Sequence, residues 1–160
     1  QGMLQGKPFG SKEDPAIFME PNMGITFHLD NIRKLLPNGL RITSFSSLCG
    51  LCDSDAEIAK SDFWILVDGK VRDRKIGLRS NDQPADSNIP LTDDDHFLTL
   101  ITTDNDRNLT RDWCLFARPA SNTMILLSAI FSWPRLTTEL TIPPKPWSRP
   151  GPQSASTTWH

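Results

Sequence analysis

Asp104, Asp106 and Asn108 stand at alternate positions, with Asp112 four residues further on. Oxygen donors in such a cluster are what a hard cation such as calcium takes as ligands. The spacing is not that of an EF-hand. Leu109 stands where that loop needs its glycine, and Leu115 where it needs its bidentate glutamate. Two readings stay open: a calcium site on Asp104, Asp106 and Asn108, or the plainer solvated acidic turn. The same stretch holds the glycosylation sequon Asn108-Leu109-Thr110, a surface mark if it is used.

Cys49-Gly50-Leu51-Cys52 is a C-x-x-C pair. Redox chemistry needs a thiolate favoured by a helix N-terminus or nearby positive charge. Here the flank is acidic, at Asp53 and Asp55, and no second pair exists to complete a zinc site. A buried strand thiol and an incidental loop thiol are expected instead. Trp64 and Trp113 offer planes on which sugar rings stack, but both lie in apolar runs, which points to core packing. The three histidines, His28, His96 and His160, accompany no nucleophile elbow, P-loop or dinucleotide-binding glycine motif. A standalone enzyme is not expected.

These residues sit in a chain of 160, with 17 Lys+Arg against 19 Asp+Glu. The net charge of −2 argues against nucleic-acid binding through bulk positive charge. The longest apolar run, Met124 to Phe131, is far short of the roughly 20 residues that span a bilayer. The charge is unevenly spread. Residues 1–120 hold 14 basic and 18 acidic side chains, a net −4, while residues 121–160 hold 3 and 1. The last 27 residues carry 6 of the 13 prolines, so 121–160 reads as a proline-rich linker or a truncated neighbouring segment. Pro143-x-x-Pro146 fits the minimal SH3-ligand pattern, which such a composition produces by chance.

Strand signals fill the body. Residues 1–16 read as a polar leader loop. Ile25, Phe27 and Leu29 alternate with Thr26 and His28, as on a half-buried strand. Asp30 or Asn31 is placed to cap a short helix ending before Pro37. Leu40 to Leu51 is a second strand. Phe63 to Val67 is apolar on both faces, as a central strand buried on both sides would be. Asp68-Gly69 then suits a type I′ hairpin turn into Lys70-Val71-Arg72. Leu78 to Asn88 reads as a polar loop, Ile89 to Leu91 as a short strand and Asp93 to Asp95 as a solvated turn. Phe97 to Thr103 alternates, and Trp113 to Ala117 is an apolar run stopped by Pro119. Many short strands, frequent turns and little helix predict an all-β antiparallel sandwich over residues 1–120.

The order of these elements resembles the NPCBM domain, a carbohydrate-binding-module family associated with glycoside hydrolases and other secreted bacterial proteins. The similarity spans about Leu4 to Pro119. Gln5-Gly6-Lys7-Pro8-Phe9 resembles its opening turn, and Gly24 to Leu29 its apolar-x-aromatic-Asp-Leu strand. Phe45 to Gly50 with Asp53, the Phe63 to Val71 hairpin, and Phe97 to Asp106 followed by Asp112-Trp113 match later strands. The chain departs from the pattern where Glu20-Pro21 replaces a His-Ala pair, where His28 replaces an Asp, and where the late acidic loop lacks glycines. The resemblance implies a galactose-binding-like jelly roll with an irregular C-terminal tail. It also implies glycan binding beside other domains of the same polypeptide, outside the cell, in the periplasm or at the envelope. The expected ligand-binding residues are Glu20, Asn22, Asn81, Asp82, Asp112 and Trp113, on loops at one end or edge of the sandwich. The rival expectation is a structural or protein-interaction module of the same fold.

Overall fold

A computed structural model of the chain describes residues 2–53, 59–105 and 113–121. The strands are β1 (Gly2–Leu4), β2 (Lys7–Phe9), β3 (Ala16–Met19), β4 (Met23–His28), β5 (Ser44–Leu51), β6 (Lys60–Val67), β7 (Lys70–Arg79), β8 (Ala85–Pro90), β9 (Phe97–Asp104) and β10 (Cys114–Ser121). One helix, α1 (Leu29–Leu35), follows β4. Two antiparallel four-stranded sheets face each other, in the orders β3-β10-β5-β8 and β4-β9-β6-β7. The β1-β2 hairpin forms a small third sheet. The expected antiparallel sandwich is therefore present, as a jelly roll.

The core lies between the two sheets. Phe45, Cys49 and Phe116 project into it from one sheet, and Phe63, Ile65, Val67, Leu98 and Leu100 from the other. Phe63 and Phe116 meet edge-on at 5.3 Å between ring centroids, joining the sheets at their middle strands. On β9 the inward face is Leu98, Leu100 and Thr102, the set that the alternation separates from Phe97, Thr99 and Ile101.

Several sequence expectations need correction. The leader is no loop: residues 2–9 form the β1-β2 hairpin, and Leu4 and Phe9 bury themselves on Leu115, Ala117 and Ala16. β10 is the strand covered on both faces, by the core on one side and this hairpin on the other. In β6, which was expected in that position, Trp64 and Leu66 are only half-buried. β10 also runs through Pro119, by a bulge between Ala117 and Ala120 that removes the need for a proline N–H. The polar stretch 78–88 holds the end of β7 and most of β8, an edge strand whose outward residues face water. The second strand starts at Ser44, not Leu40, which is exposed.

The Asp68-Gly69 turn has φ of 49° and 75°, the two positive values of a type I′ turn. The Asp68 carboxylate accepts hydrogen bonds from the backbone of His96 and Phe97, which ties the turn to β9. The helix is not capped as expected. His28 holds the N-cap position without a side-chain hydrogen bond, and Asp30 lies in the first turn. Asp30 instead accepts from Arg33 at 2.8 Å and contacts the His96 ring nitrogen at 2.8 Å. Asp95 is buried rather than solvated, accepting from the Thr92 backbone and hydroxyl and from Arg72.

The Asp30–His96 pair makes stability depend on pH. Its hydrogen bond to Asp30 holds His96 above its ordinary 6.5, and the same bond, then Arg33, holds Asp30 below 3.8. The histidine's share of stability is full below pH 6.5 and is lost as pH rises through the higher folded value. The aspartate's share is full above pH 3.8 and is lost as pH falls through its lower folded value. Urea unfolding is therefore expected to show stability declining above about pH 6.5, with a flatter profile in His96→Gln. Parallel profiles for the two proteins would contradict this account.

Candidate functional site

Antiparallel pairing fixes where the connections fall. Met19 at the end of β3 pairs with Cys114 at the start of β10, which pairs with Leu51 at the end of β5. Met23 at the start of β4 pairs with Thr102 near the end of β9, and Ser61 near the start of β6 pairs with Asp104. Residues 20–22, 52–53, 59, 80–84, 105 and 113, next to these strand ends, therefore all lie at one end of the sandwich. Helix α1, the Asp68-Gly69 turn and residues 91–96 lie at the other end.

Glu20, Asn22, Asn81, Asp82, Trp113 and Asp104, predicted on separate loops, all lie at this first end. Asp112, Asp106 and Asn108 fall outside the described residues. Asn22 and Asn81 both adopt left-handed backbone conformations, φ 62° and 67°, which asparagine tolerates better than most residues. The Asn22 side-chain oxygen accepts from the Asp104 backbone at 3.2 Å, joining the β3-β4 turn to the end of β9. Asp82 accepts from the Arg79 backbone at 2.9 Å and so closes its own turn. Glu20 holds its neighbour through its backbone, whose carbonyl accepts from the Thr102 hydroxyl at 2.7 Å. The Glu20 side chain is exposed and has no partner among the described residues.

Trp113 corrects the core-packing expectation. It is 46% exposed, one residue before β10 begins. Its carbonyl accepts from the Cys52 backbone at 2.9 Å, which fixes the rim strand against β5. Trp113 and Glu20 each lie one residue beyond the last ladder pair, Cys114–Met19. An exposed indole and an unpartnered carboxylate thus share the rim. Trp64 lies on the outer face of its sheet, where its ring nitrogen donates to Thr103 at 3.0 Å and the Arg74 guanidinium lies 6.0 Å from the ring.

Other residues of this end were not expected to take part. Asp53 accepts from the backbone of Gln5 at 2.9 Å and of Gly6 at 2.7 Å, clamping the β1-β2 turn to the loop after β5. Gln5 in turn donates to the Asn81 carbonyl and accepts from Gln83. Asp62 is buried and accepts from the Gly77 backbone at 2.7 Å and from the Asn105 side chain. These links span 15 to 78 residues of sequence, so no local pattern announces them. Asp62→Ala is expected to lower stability by about 1–3 kcal/mol, since it leaves a backbone N–H without its acceptor. Chemical denaturation measures this, and an unchanged midpoint would refute it.

Of the C-x-x-C pair, Cys49 is buried on its strand and Cys52 is half-buried in the loop after it. Burial pushes the Cys49 thiol up to about 12, and burial also raises Cys52. Among the described residues no group of three or more His, Cys, Asp or Glu side chains is arranged to hold a metal. No described helix is long and apolar enough to cross a membrane.

The polar loops, the exposed Trp113 and the exposed Glu20 thus lie at one end of an antiparallel jelly roll. The chain belongs to the NPCBM/NEW2 domain family, which matches residues 21–121. No curated protein sequence matches the chain. Among solved structures it is similar to the CBM51 of Clostridium perfringens GH95 in complex with methyl-galactose. That likeness has a TM-score of 0.57 and 14% identity and covers 66% of this chain and 68% of that one. It is also similar to CBM51-2 with the INT domains of Clostridium perfringens ZmpB in complex with GlcNAc, at a TM-score of 0.55 and 13% identity. There 66% of this chain matches 21% of the other, so the chain spans about a fifth of that structure's length. At these identities the likeness establishes the galactose-binding-like jelly-roll fold.

Proposed function

We propose that the domain is a non-catalytic carbohydrate-binding module and that the loop end at Trp113 holds the glycan. The observation that carries this reading is the exposed Trp113 indole on the same rim of the sandwich as the exposed Glu20 side chain. The apolar face of a pyranose packs on an aromatic plane, and a carboxylate accepts from two neighbouring hydroxyls. Family membership and the sugars held by the two CBM51 structures support the same class of ligand. The domain would serve as an accessory part of a larger secreted bacterial protein, acting outside the cell, in the periplasm or at the envelope.

The full chain printed on a glycan array, followed by titration calorimetry with the best hits, tests the reading. Saturable binding that weakens in Glu20→Gln is expected. Binding to no glycan, by protein with a native circular dichroism spectrum, would leave the structural or protein-interaction module as the better account. The Glu20-Pro21 pair in place of the family's His-Ala favours that second reading.

A further inference from the structure

A cleft of about 410 Å³ opens on the outer face of the β3-β10-β5-β8 sheet. It is lined by Ser46, Leu48, Asp86, Asn88 and Arg118, with the buried Ser47 and Ser87 between them. Small-ligand sites have volumes of this order, about 300–1,000 Å³. The cleft has a regular floor. Ser46 pairs with Asn88 across the ladder, and Leu48 with Asp86. Paired side chains lie about 5 Å apart, and next-but-one residues along a strand about 7 Å. The four outward side chains thus mark a rectangle about the size of one pyranose ring.

One wall is built with unusual care. Arg118 sits in the β10 bulge at φ 45°, a conformation that costs a non-glycine residue free energy. Bulges re-aim side chains in this way, and they concentrate beside functional sites. The backbone N–H of Arg118 donates to the Pro15 carbonyl at 2.7 Å. Its Nε and Nη2 both lie 2.6 Å from Asp14 Oδ1, and its guanidinium lies 5.7 Å from the centre of the Phe9 ring. The hairpin that carries Phe9 packs on this same sheet face through Leu4, Leu115 and Ala117, and one side of the half-buried Leu48 packs against that cluster. Lys7 also contacts Asp14, at 3.3 Å. Two cations, Arg118 and Lys7, thus stand against two carboxylates, Asp14 and Asp86, and the wall and floor are electrically balanced.

We propose that this cleft is a second carbohydrate subsite, for a neutral pyranose, apart from the loop end. Leu48 would meet an apolar ring face. Asp86 and the Asn88 and Ser46 side chains, which have no partners among the described residues, would bond its hydroxyls. Charge balance argues against an acidic sugar, which would bring a third negative charge to two positive ones. The inference rests on the reading of the chain as a glycan binder, but it places contacts where that reading does not.

Amide NMR of the full chain, titrated with methyl-galactoside, N-acetylglucosamine and trisaccharides containing them, separates the two. Shifts at Leu48, Asp86 and Asn88, saturating with the sugar, are expected. The Ser46→Ala/Asn88→Ala pair should abolish those shifts and weaken trisaccharide binding about tenfold, with loop-end shifts at Asn81 and Asp82 retained. Should the pair lose its native spectrum, Asn88→Ala alone carries the same test. Loop-end shifts with a silent cleft would overturn the subsite and leave the proposed function standing. Cleft shifts with a silent loop end would uphold the subsite and displace the main site. Silence at both ends with every sugar would overturn both.

Discussion

Trp113→Ala is expected to weaken glycan binding about thirtyfold while leaving the fold intact. A buried aromatic at the centre of a binding contact is worth about 2 kcal/mol or more when truncated. That is about thirtyfold in dissociation constant. The side chain is exposed in the free domain, so its loss removes little core packing. Stability should change by no more than about 0.5 kcal/mol, the usual range for surface positions. Trp113→Phe should keep much of the affinity, since a smaller ring still offers a stacking face. Calorimetry on both variants makes the comparison. Native affinity in Trp113→Ala would remove the indole from the site.

The largest effect on stability is expected at Phe116. Its ring is fully buried and meets Phe63 edge-on across the sandwich. Phe116→Ala leaves a cavity between rigid sheets that cannot close over it. The expected loss is about 3–5 kcal/mol. Against a typical total of about 5–15 kcal/mol, that approaches the whole stability of a domain this size. At about 4 °C per kcal/mol, the melting temperature should fall roughly 12–20 °C. Phe116→Leu should lose far less, because it refills most of the volume. A melting curve unmoved by Phe116→Ala would mean the sheets are joined elsewhere.

The body of the sandwich was legible where one face is apolar and the other wet. The alternation of Leu98, Leu100 and Thr102 against Phe97, Thr99 and Ile101 gave the true facing of β9. The Asp68-Gly69 turn was legible because its backbone demands are local. The β1-β2 hairpin was not, because its two short strands gain their burial from residues a hundred positions away. β8 was hidden for another reason. Asp86 and Asn88 face water at a sheet edge, so a strand there looks like a loop. The candidate loops bearing Glu20, Asn22, Asn81, Asp82 and Trp113 were legible one by one, and strand register puts them at one end of the sandwich. Only the burial of Trp113 was misread, since the apolar run it heads is buried only from Cys114 onward. The clamp at Asp53 and the buried Asp62 carboxylate depend on partners distant in sequence, and composition carries no trace of them.

The path of β10 bears on how such a module carries force. The strand begins beside Trp113 at the loop end and finishes at Ser121, at the opposite end of the sandwich. Tension between a ligand at the proposed loop site and the chain beyond Ser121 would therefore act along β10. Backbone hydrogen bonds of antiparallel ladders lie across the strand direction. β10 has such ladders on both sides, to β3 and to β5. The load is shared by both rows in shear, so many bonds resist together instead of opening one by one. The strand with its two faces buried is also the one best placed to serve as a mechanical tether.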